Sequence, residues 1–345
     1  MQQTFEYYVV NPDTWKDESK LENVKSCSIS RDSDTETMGS ATIEAVDLVG
    51  ECYVRIYLIT IQNGITEKFP LGTYLVQTPT SSFNGTARDV SMDAYTPLLE
   101  LKESPPPLGY SVPKGENVMS IAYNLTSENM RAPVVPTTSS ETLSYDFVST
   151  TDDTWLSFIS DLIANVKYTL ALDEMGRVLF EPKQNMASLQ PVYTFNDDET
   201  SIMYPEVTMN HDLYGIPNVV EVIYSNGDDT YYARVVNDDE NSPVSTIARG
   251  REIIYRETNP NLAGFSTQEQ ITEYAEQLLS ELSSVEYSVT FTHGYCGVRV
   301  NDCVRINNAR AQLDGVKAKI ISQTIKCTPG CPVTARAVYT TKLWR

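Results

Sequence analysis

Apolar positions recur along this chain at two spacings. Ile271, Tyr274, Ala275, Leu278, Leu279 and Leu282 fall three and four residues apart, which predicts a helix over 266–284 with one apolar stripe. Ser266-Thr267-Gln268-Glu269 predicts its start, a hydroxyl acceptor with a carboxylate three residues on. Glu269, Glu273, Glu276, Gln277 and Glu281 take the opposite face, which water covers. Around this helix the spacing drops to two. Residues 285–292, 298–306, 316–327 and 333–341 alternate as strands, and Asp314-Gly315 predicts a hairpin turn between two of them. A helix on the flank of a closed or half-closed antiparallel sheet is the expected result.

The same two-residue period opens the chain. Residues 4–10, 24–30, 41–46, 52–61, 65–69, 71–77 and 90–95 are short β-branched or aromatic runs. Asn63-Gly64 and Asn84-Gly85 suit the left-handed turns of tight hairpins. Ser104-Pro105-Pro106-Pro107 marks a boundary, because proline removes backbone donors and stiffens the chain. Beyond it the period changes. Residues 117–125 predict a short helix and 131–146 a loop. Asp152-Asp153 predict the cap of a second helix with the stripe Trp155, Phe158, Ile159, Leu162, Ile163 and Val166. Residues 167–172 and 177–181 predict a hairpin about a turn at 173–176. From 191 the strands return, with a hairpin over 218–236 that turns at Asn226-Gly227 and packs Tyr231, Tyr232 and Val235 in its sheet. The fold expected is mainly β with an α+β insert: a first β-barrel over 1–104, a small α+β domain over 105–190, and a second β-barrel over 191–345 carrying the helix.

The length of 345 residues suits two or three domains. Charge narrows the functions. With 46 acidic against 26 basic residues the net charge is −20, which argues against nucleic-acid binding and against docking on anionic membranes. The acidity serves either solubility or a functional acidic surface. The first residues show no basic stretch followed by an apolar core, and no apolar run approaches the ~20 residues of a membrane helix. A soluble protein made in a reducing cytoplasm, with no membrane partner, is expected.

Candidate chemistry is sparse. Cys27 and Cys52 lie in strand-like runs, as buried thiols do. Cys296, Cys303, Cys327 and Cys331 cluster near the end, and their spacings leave a metal site, a disulfide across the Cys327–Cys331 turn, or unpaired thiols, the last fitting best. Residues 32–37 begin like a calcium loop, but Thr37 stands where glycine is required and Ile43 where glutamate is required, so a solvated hairpin tip is expected. The acidic run 237–241 reads the same way. Only His211 and His293 are present, in no zinc-hydrolase spacing, and no nucleophile elbow, phosphate loop or dinucleotide fingerprint occurs. With so many acids, spacing nominates no catalytic pair. No catalytic, cofactor-binding or metal-binding residue is expected.

Two resemblances add to this. Residues 110–122, from Tyr110-Ser111-Val112-Pro113 through Gly115 to Ile121-Ala122, resemble the opening strand, turn and helix of LysM peptidoglycan-binding modules. The plain alternative is a strand, a glycine turn and a helix with Val118, Ile121 and Ala122 inward. Taken whole, the chain resembles the baseplate hub proteins of bacteriophage tails. The carriers are Val9-Val10-Asn11-Pro12, Ser40-Ala41-Thr42-Ile43-Glu44, Phe69-Pro70-Leu71-Gly72-Thr73-Tyr74-Leu75-Val76, 151–181, Asn218-Val219-Val220-Glu221-Val222, 267–282 and Asn301-Asp302-Cys303-Val304-Arg305-Ile306. The cysteine cluster departs from that pattern, and no fused peptidase or spike is expected after Arg345. The resemblance implies a non-enzymatic virion protein. Two tail-tube-like barrels per chain would build a homotrimeric, pseudo-sixfold ring that joins the tail tube to a spike or tip and lines the DNA channel. Its partners would be tail-tube or distal tail proteins, the spike, other baseplate proteins and the tape measure protein, with DNA only in transit. The rival functions are a peptidoglycan-binding module, carried by 110–122, and a cell-wall hydrolase, for which the sequence offers neither a nucleophile nor a metal triad.

Overall fold

The computed structural model describes residues 2–46, 50–85, 87–183, 189–199, 201–211, 213–225, 229–258, 260 and 267–342. The chain opens with β1 (Gln2–Val10), β2 (Asp17–Lys20), β3 (Val24–Asp32), β4 (Gly39–Ala45), β5 (Tyr53–Gln62), β6 (Ile65–Asn84) and β7 (Ala87–Tyr95). Next come α1 (Leu99–Glu103), β8 (Ser111–Val112), α2 (Val118–Asn129), β9 (Phe147–Val148), α3 (Trp155–Ala164), β10 (Tyr168–Leu172) and β11 (Val178–Pro182). Then follow β12 (Tyr193–Phe195), β13 (Met203–His211), β14 (Val219–Ser225), β15 (Thr230–Val236), α4 (Thr246–Arg249) and β16 (Ile254–Thr258). The last elements are α5 (Gln268–Leu282), β17 (Ser284–Gly294), β18 (Cys303–Asn308), β19 (Leu313–Lys326) and β20 (Pro332–Lys342). The protein is mainly β, with large antiparallel sheets. It forms two compact units, one from 1–206 with 291–336, the other from 207–290 with 337–345.

In the first unit the two-residue period does what it predicts. β4 alternates buried and exposed positions along its length, and Ile43 and Ala45 are fully buried. Asn63 and Gly64 both take positive φ, and β5 and β6 pair outward from that turn, Gln62 opposite Ile65. One expectation changes here. Residues 65–69 and 71–77 belong to a single strand, because the sheet absorbs Pro70 in a bulge: Ile56 faces Gly72 and Tyr57 faces Pro70, leaving Leu71 unpaired between them. The short polar strand β2 has no apolar period and was not predicted; it pairs with β1 through Tyr8–Lys20 and Val9–Ser19.

The sheet runs β13-β17-β20-β19-β3-β4-β7-β6-β5-β1-β2, with β18 also on β19 and β12 on β18. No closed barrel forms among the described residues. Late strands instead join early ones: β19 pairs antiparallel with β3 from Ser322–Asp32 to Lys326–Ser28. Alternation then sends Ile325, Cys327, Cys331 and Val333 into the same core as Tyr7, Cys27, Ile29, Ile43, Val54 and Met92.

The α+β insert has its own core. Trp155, Phe158, Ile159, Leu162 and Ile163 of α3 meet Val118, Met119 and Ala122 of α2 and Leu170, Val178 and Phe180 of the β10–β11 hairpin. The α3 cap is Thr154 rather than Asp152 or Asp153. Its hydroxyl accepts from Ser157 N while the Ser157 hydroxyl receives Thr154 N, a reciprocal cap that any carboxylate one residue earlier would miss. Asp153 instead accepts from Thr150 N.

In the second unit α5 covers one face of the sheet β15-β14-β16. Ile271, Ala275 and Leu279 are fully buried against Val220, Val222 and Ala233, and Tyr274, Leu278 and Leu282 pack at the margin. The cap is Thr267, which accepts from Gln270 N; Ser266 lies outside the described residues. So does the Asn226-Gly227 turn. Tyr231 and Val235 pack under α5 as expected, whereas Tyr232 points to the other face and is half exposed.

Two corrections concern the C-terminal strands. Residues 298–302 are not strand, since Asn301 takes positive φ and its N–H bonds Ile320 O; β18 starts at Cys303. Asp314-Gly315 is not the hairpin turn. The chain turns at 309–312, and Gly315, at φ 62°, makes a bulge whose N–H donates to Asn307 Oδ1.

Candidate functional site

A dense arrangement of charge and hydrogen bonding in the first unit surrounds one short turn, that between β10 and β11. Asp173 closes it: its carboxylate accepts from Arg177 N at 2.8 Å and from Arg177 Nε at 2.6 Å, while Gly176 N bonds Asp173 O at 2.9 Å. Gly176 sits at φ 75°, and a Cβ there would lie 2.8 Å from Thr73 Cβ and 3.1 Å from the Trp15 ring. Only glycine meets both demands.

The turn is keyed into the β sheet by its carbonyls. Met175 O accepts from Trp15 Nε1 at 2.7 Å and from Arg55 Nη2 at 3.2 Å. Glu174 O accepts from Thr73 Oγ1 at 3.4 Å. Arg55 is 1% exposed and uses its whole fork: Nε to Thr73 Oγ1 at 2.9 Å, Nη1 to Asp17 Oδ1 at 2.7 Å, and Nη2 also to Trp15 O. Tyr57 donates to the second Asp17 oxygen at 2.8 Å. A buried guanidinium is tolerated because each of its three nitrogens meets an acceptor.

The Glu174 side chain reaches the other way. It bridges Arg31 Nη1 at 3.6 Å and Arg299 Nη2 at 2.5 Å. Arg31 also donates to Leu71 O at 2.6 Å, and Asp302 accepts from Arg299 N at 2.7 Å. These groups wall a cavity of about 870 Å³ whose other borders include Thr169, Leu170, Lys183, Gln190, Cys303 and Lys319. Burial pushes the Asp302 carboxyl up from its ordinary value, and Arg299 only partly counters it. Burial likewise raises the Cys303 thiol, which disfavours its thiolate. Chemically this is an electrostatic joint. One carboxylate ties the insert to β3 and to the loop before β18.

The four cysteines that lie near one another in sequence do not converge, in keeping with the reading of unpaired thiols. Cys327 lies with Cys27, its N–H bonding Cys27 O at 3.0 Å, and Cys331 joins them in the core. The Cys27 thiol is pushed well up by its hydrogen bond with Cys327 and by burial, and burial raises Cys331 to about 12. Cys303 is in the cavity wall and Cys296 lies elsewhere, 3.7 Å from His293 Nδ1. Cys52 is half-buried at the core's margin, less enclosed than expected. All six are free thiols, and among the described residues no three His, Cys, Asp or Glu groups are placed to share a metal ion.

His293 donates from Nδ1 to Gly294 O at 2.7 Å and packs on Phe195 and Phe291, with Nε2 buried and unbonded. Burial lowers its basicity, and burial also raises the Cys296 thiol, so the two form no ion pair. The side chain of His211 lies outside the described ones. Residues 32–37 form the β3–β4 turn, with Asp34 N on Asp32 Oδ1. Residues 110–122 form β8, a glycine turn and α2, capped by Asn117. β9 pairs back on β8 through Ser111–Val148 and Val112–Phe147. Tyr110 stacks edge-on against Trp155 and Phe158, so its ring belongs to the insert's core.

The tail protein from Neisseria meningitidis MC58 matches with a TM-score of 0.62 at 12% identity, over 98% of this chain and 97% of that one. The fold is that of phage tail proteins. The 43 kDa tail protein of prophage MuSo2 from Shewanella oneidensis shares the tail-protein fold at a TM-score of 0.62 and 10% identity, over 97% of this chain and 98% of that one. Prophage tail protein gp18 from Listeria monocytogenes EGD-e does so at 0.52 and 11%, over 96% and 94%. No family model matches, and no curated protein matches in sequence. The order of patterns that suggested a phage tail protein is therefore met in the fold.

The Arg31, Arg55, Glu174 and Arg299 joint escaped sequence reasoning. Each residue is one charge among 72, and its partners stand far off in the chain. The available signal was the pairing of Trp15, one of three tryptophans, with a tight Asp-Glu-Met-Gly turn, which spacing alone does not connect.

Proposed function

We propose that this chain is a structural, non-enzymatic component of a phage tail baseplate hub. In this reading 1–104 and 191–345 are the two tube-like β modules and 105–190 is the insert between them. Three copies form a pseudo-sixfold ring that joins the tail tube to the spike or tip. The observation that carries the reading is the likeness of fold to tail proteins along nearly the whole chain. Its partners are tube or distal tail proteins, the spike and neighbouring baseplate proteins, in a virion assembled in the host cytoplasm. The net charge of −20 then has a use, because an acidic wall repels passing DNA phosphates.

Light scattering on purified protein tests the assembly. A mass three times the 38.6 kDa of the chain supports the ring, and a monomer that persists when tube and spike proteins are added refutes it. The peptidoglycan reading gains one observation, the closing strand β9 on β8. A peptidoglycan pull-down separates the two, since a hub remains in the supernatant.

A further inference from the structure

Cys27 lies in β3 near the start of the chain, and Cys327 directly follows β19 near its end. The β3–β19 ladder runs from Ser322–Asp32 to Lys326–Ser28, and one further step sets Cys327 opposite Cys27. Cys327 N donates to Cys27 O at 3.0 Å, so that step is made. Directly opposed residues of an antiparallel pair stand about 4.5–5.5 Å apart at Cα. A disulfide spans about 4.4–6.8 Å between the same atoms. Alternation puts both side chains on one face, Cys27 with Ile29 and Cys327 with Ile325, in a single core.

The two thiols meet in that core. Cys27 hydrogen-bonds with Cys327 through its side chain, and Tyr7 hydrogen-bonds with both sulfurs. A buried cysteine often serves only as a small apolar filler. Filling space does not require two thiols to oppose one another across a ladder, bonded through backbone and side chain together. Cys331 shares the core and offers the rival linkage to Cys327. A turn stands between those two, closed by Cys331 N on Thr328 O at 2.8 Å, whereas register brings Cys27 to Cys327 directly.

We propose that Cys27 and Cys327 are an oxidisable pair whose disulfide staples β3 to the end of β19 when the protein leaves a reducing compartment. The oxidant is a small-molecule disulfide. The Cys327 thiolate, from the more exposed of the two residues at 8% against 4%, attacks one of its sulfurs and releases one small thiol. The Cys27 thiolate then attacks Cys327 Sγ in the mixed disulfide and releases the second small thiol. Two protein thiols are oxidised, one small disulfide is reduced, and the two thiol protons end on the two small thiols. The hydrogen bond with Cys327 and burial both hold the Cys27 thiol well above its ordinary pKa, so exchange is slow and follows fraying of the last step of the ladder. The link closes a loop of nearly the whole chain, and long loops take the most freedom from the unfolded state. The proposal goes beyond the hub reading and does not depend on it.

The test incubates the full chain for days in reduced or in oxidised glutathione, blocks the remaining thiols by alkylation and maps tryptic peptides by mass. Cleavage after Lys25, Arg31, Lys326 and Arg336 places Cys27 in peptide 26–31 and both Cys327 and Cys331 in peptide 327–336. Oxidised glutathione should join 26–31 to 327–336, and the reduced form should leave them apart. The oxidised chain should melt roughly 5–10 °C above the reduced one. Cys331→Ala should keep the link and the shift, and Cys27→Ala should lose both. The comparison of oxidised with reduced native chain stands even where an alanine variant fails to fold. No joined peptides in oxidised glutathione, a disulfide closed within 327–336 in their place, loss of the link in Cys331→Ala, or an oxidised chain that melts no higher would each overturn the proposal.

Discussion

Arg55 should be the most costly single polar side chain to remove from the first unit. Arg55→Met keeps the stem's volume and deletes the guanidinium. It leaves the Asp17 carboxylate without its 2.7 Å partner, Met175 O and Trp15 O without one of their donors, and Thr73 Oγ1 without Nε–H. Breaking one side of a buried ion pair costs about 3–5 kcal/mol, because the remaining charge stays desolvated. Asp17 is partly exposed, with 26% of its side chain reaching solvent, so water recovers some of that loss and about 3 kcal/mol is the expected figure. Asp17→Asn alone should cost about 2–4 kcal/mol, since one amide oxygen cannot serve both Arg55 and Tyr57 and the buried guanidinium loses its counter-charge. The double variant should cost less than the two singles together by at least 1 kcal/mol, because no orphan charge remains. Urea unfolding followed by tryptophan fluorescence measures all three. A cost below 1 kcal/mol for Arg55→Met, or strict additivity in the cycle, would show that the guanidinium is hydrated and that the joint is not built as described.

Gly176→Ala should destabilise by more than 1 kcal/mol, from the φ of 75° and the approach to Thr73 and Trp15, and should red-shift Trp15 emission. Leu279→Ala, from a fully buried position under α5, should cost about 2–5 kcal/mol in thermal unfolding of the second unit, while Glu276→Ala on the wet face stays within about 0.5. His293 gives a pH signature. Burial lowers its folded pKa below the ordinary 6.5, so below pH 6.5 the unfolded chain binds the proton first. Stability is then complete above that pH and falls as pH drops, by at most about 1.4 kcal/mol per pH unit. Melting between pH 8 and 5 should show a fall that His293→Phe lessens, and an unchanged slope in the variant refutes the assignment. Thr154→Ala should cost about 1 kcal/mol through loss of the α3 cap, read as helix signal in circular dichroism.

Local structure was largely legible in the sequence. The stripes of α3 and α5 and the Asn63-Gly64 hairpin are short-range facts, and side chains three, four or two residues apart carry them. Capping shifted by a residue or two because Thr154 and Thr267 compete with nearby acceptors, and backbone geometry decides between them. Asp314-Gly315 misled because a bulge needs the same left-handed glycine that a tight turn needs. The pairing of β19 with β3 and the bridging of Arg31 and Arg299 by Glu174 were not legible. Both join residues separated by much of the chain, and no local period encodes such a meeting. The four late cysteines are near one another in sequence, with unpaired thiols the best-fitting reading, and strand alternation sends Cys327 and Cys331 to the core with Cys27 and leaves Cys296 and Cys303 elsewhere.

The union of β3 with β19 has a consequence for synthesis. Strands made first wait, with one hydrogen-bonding edge open and part of their apolar floor missing, until the ribosome has delivered residues 322–333. The insert, whose helices and hairpin are neighbours in sequence, can settle early, whereas the N-terminal sheet closes last and slowly. A nascent chain arrested before those residues carries an unfinished, adhesive border, so chaperone capture or aggregation should be heaviest in chains stopped short of 322.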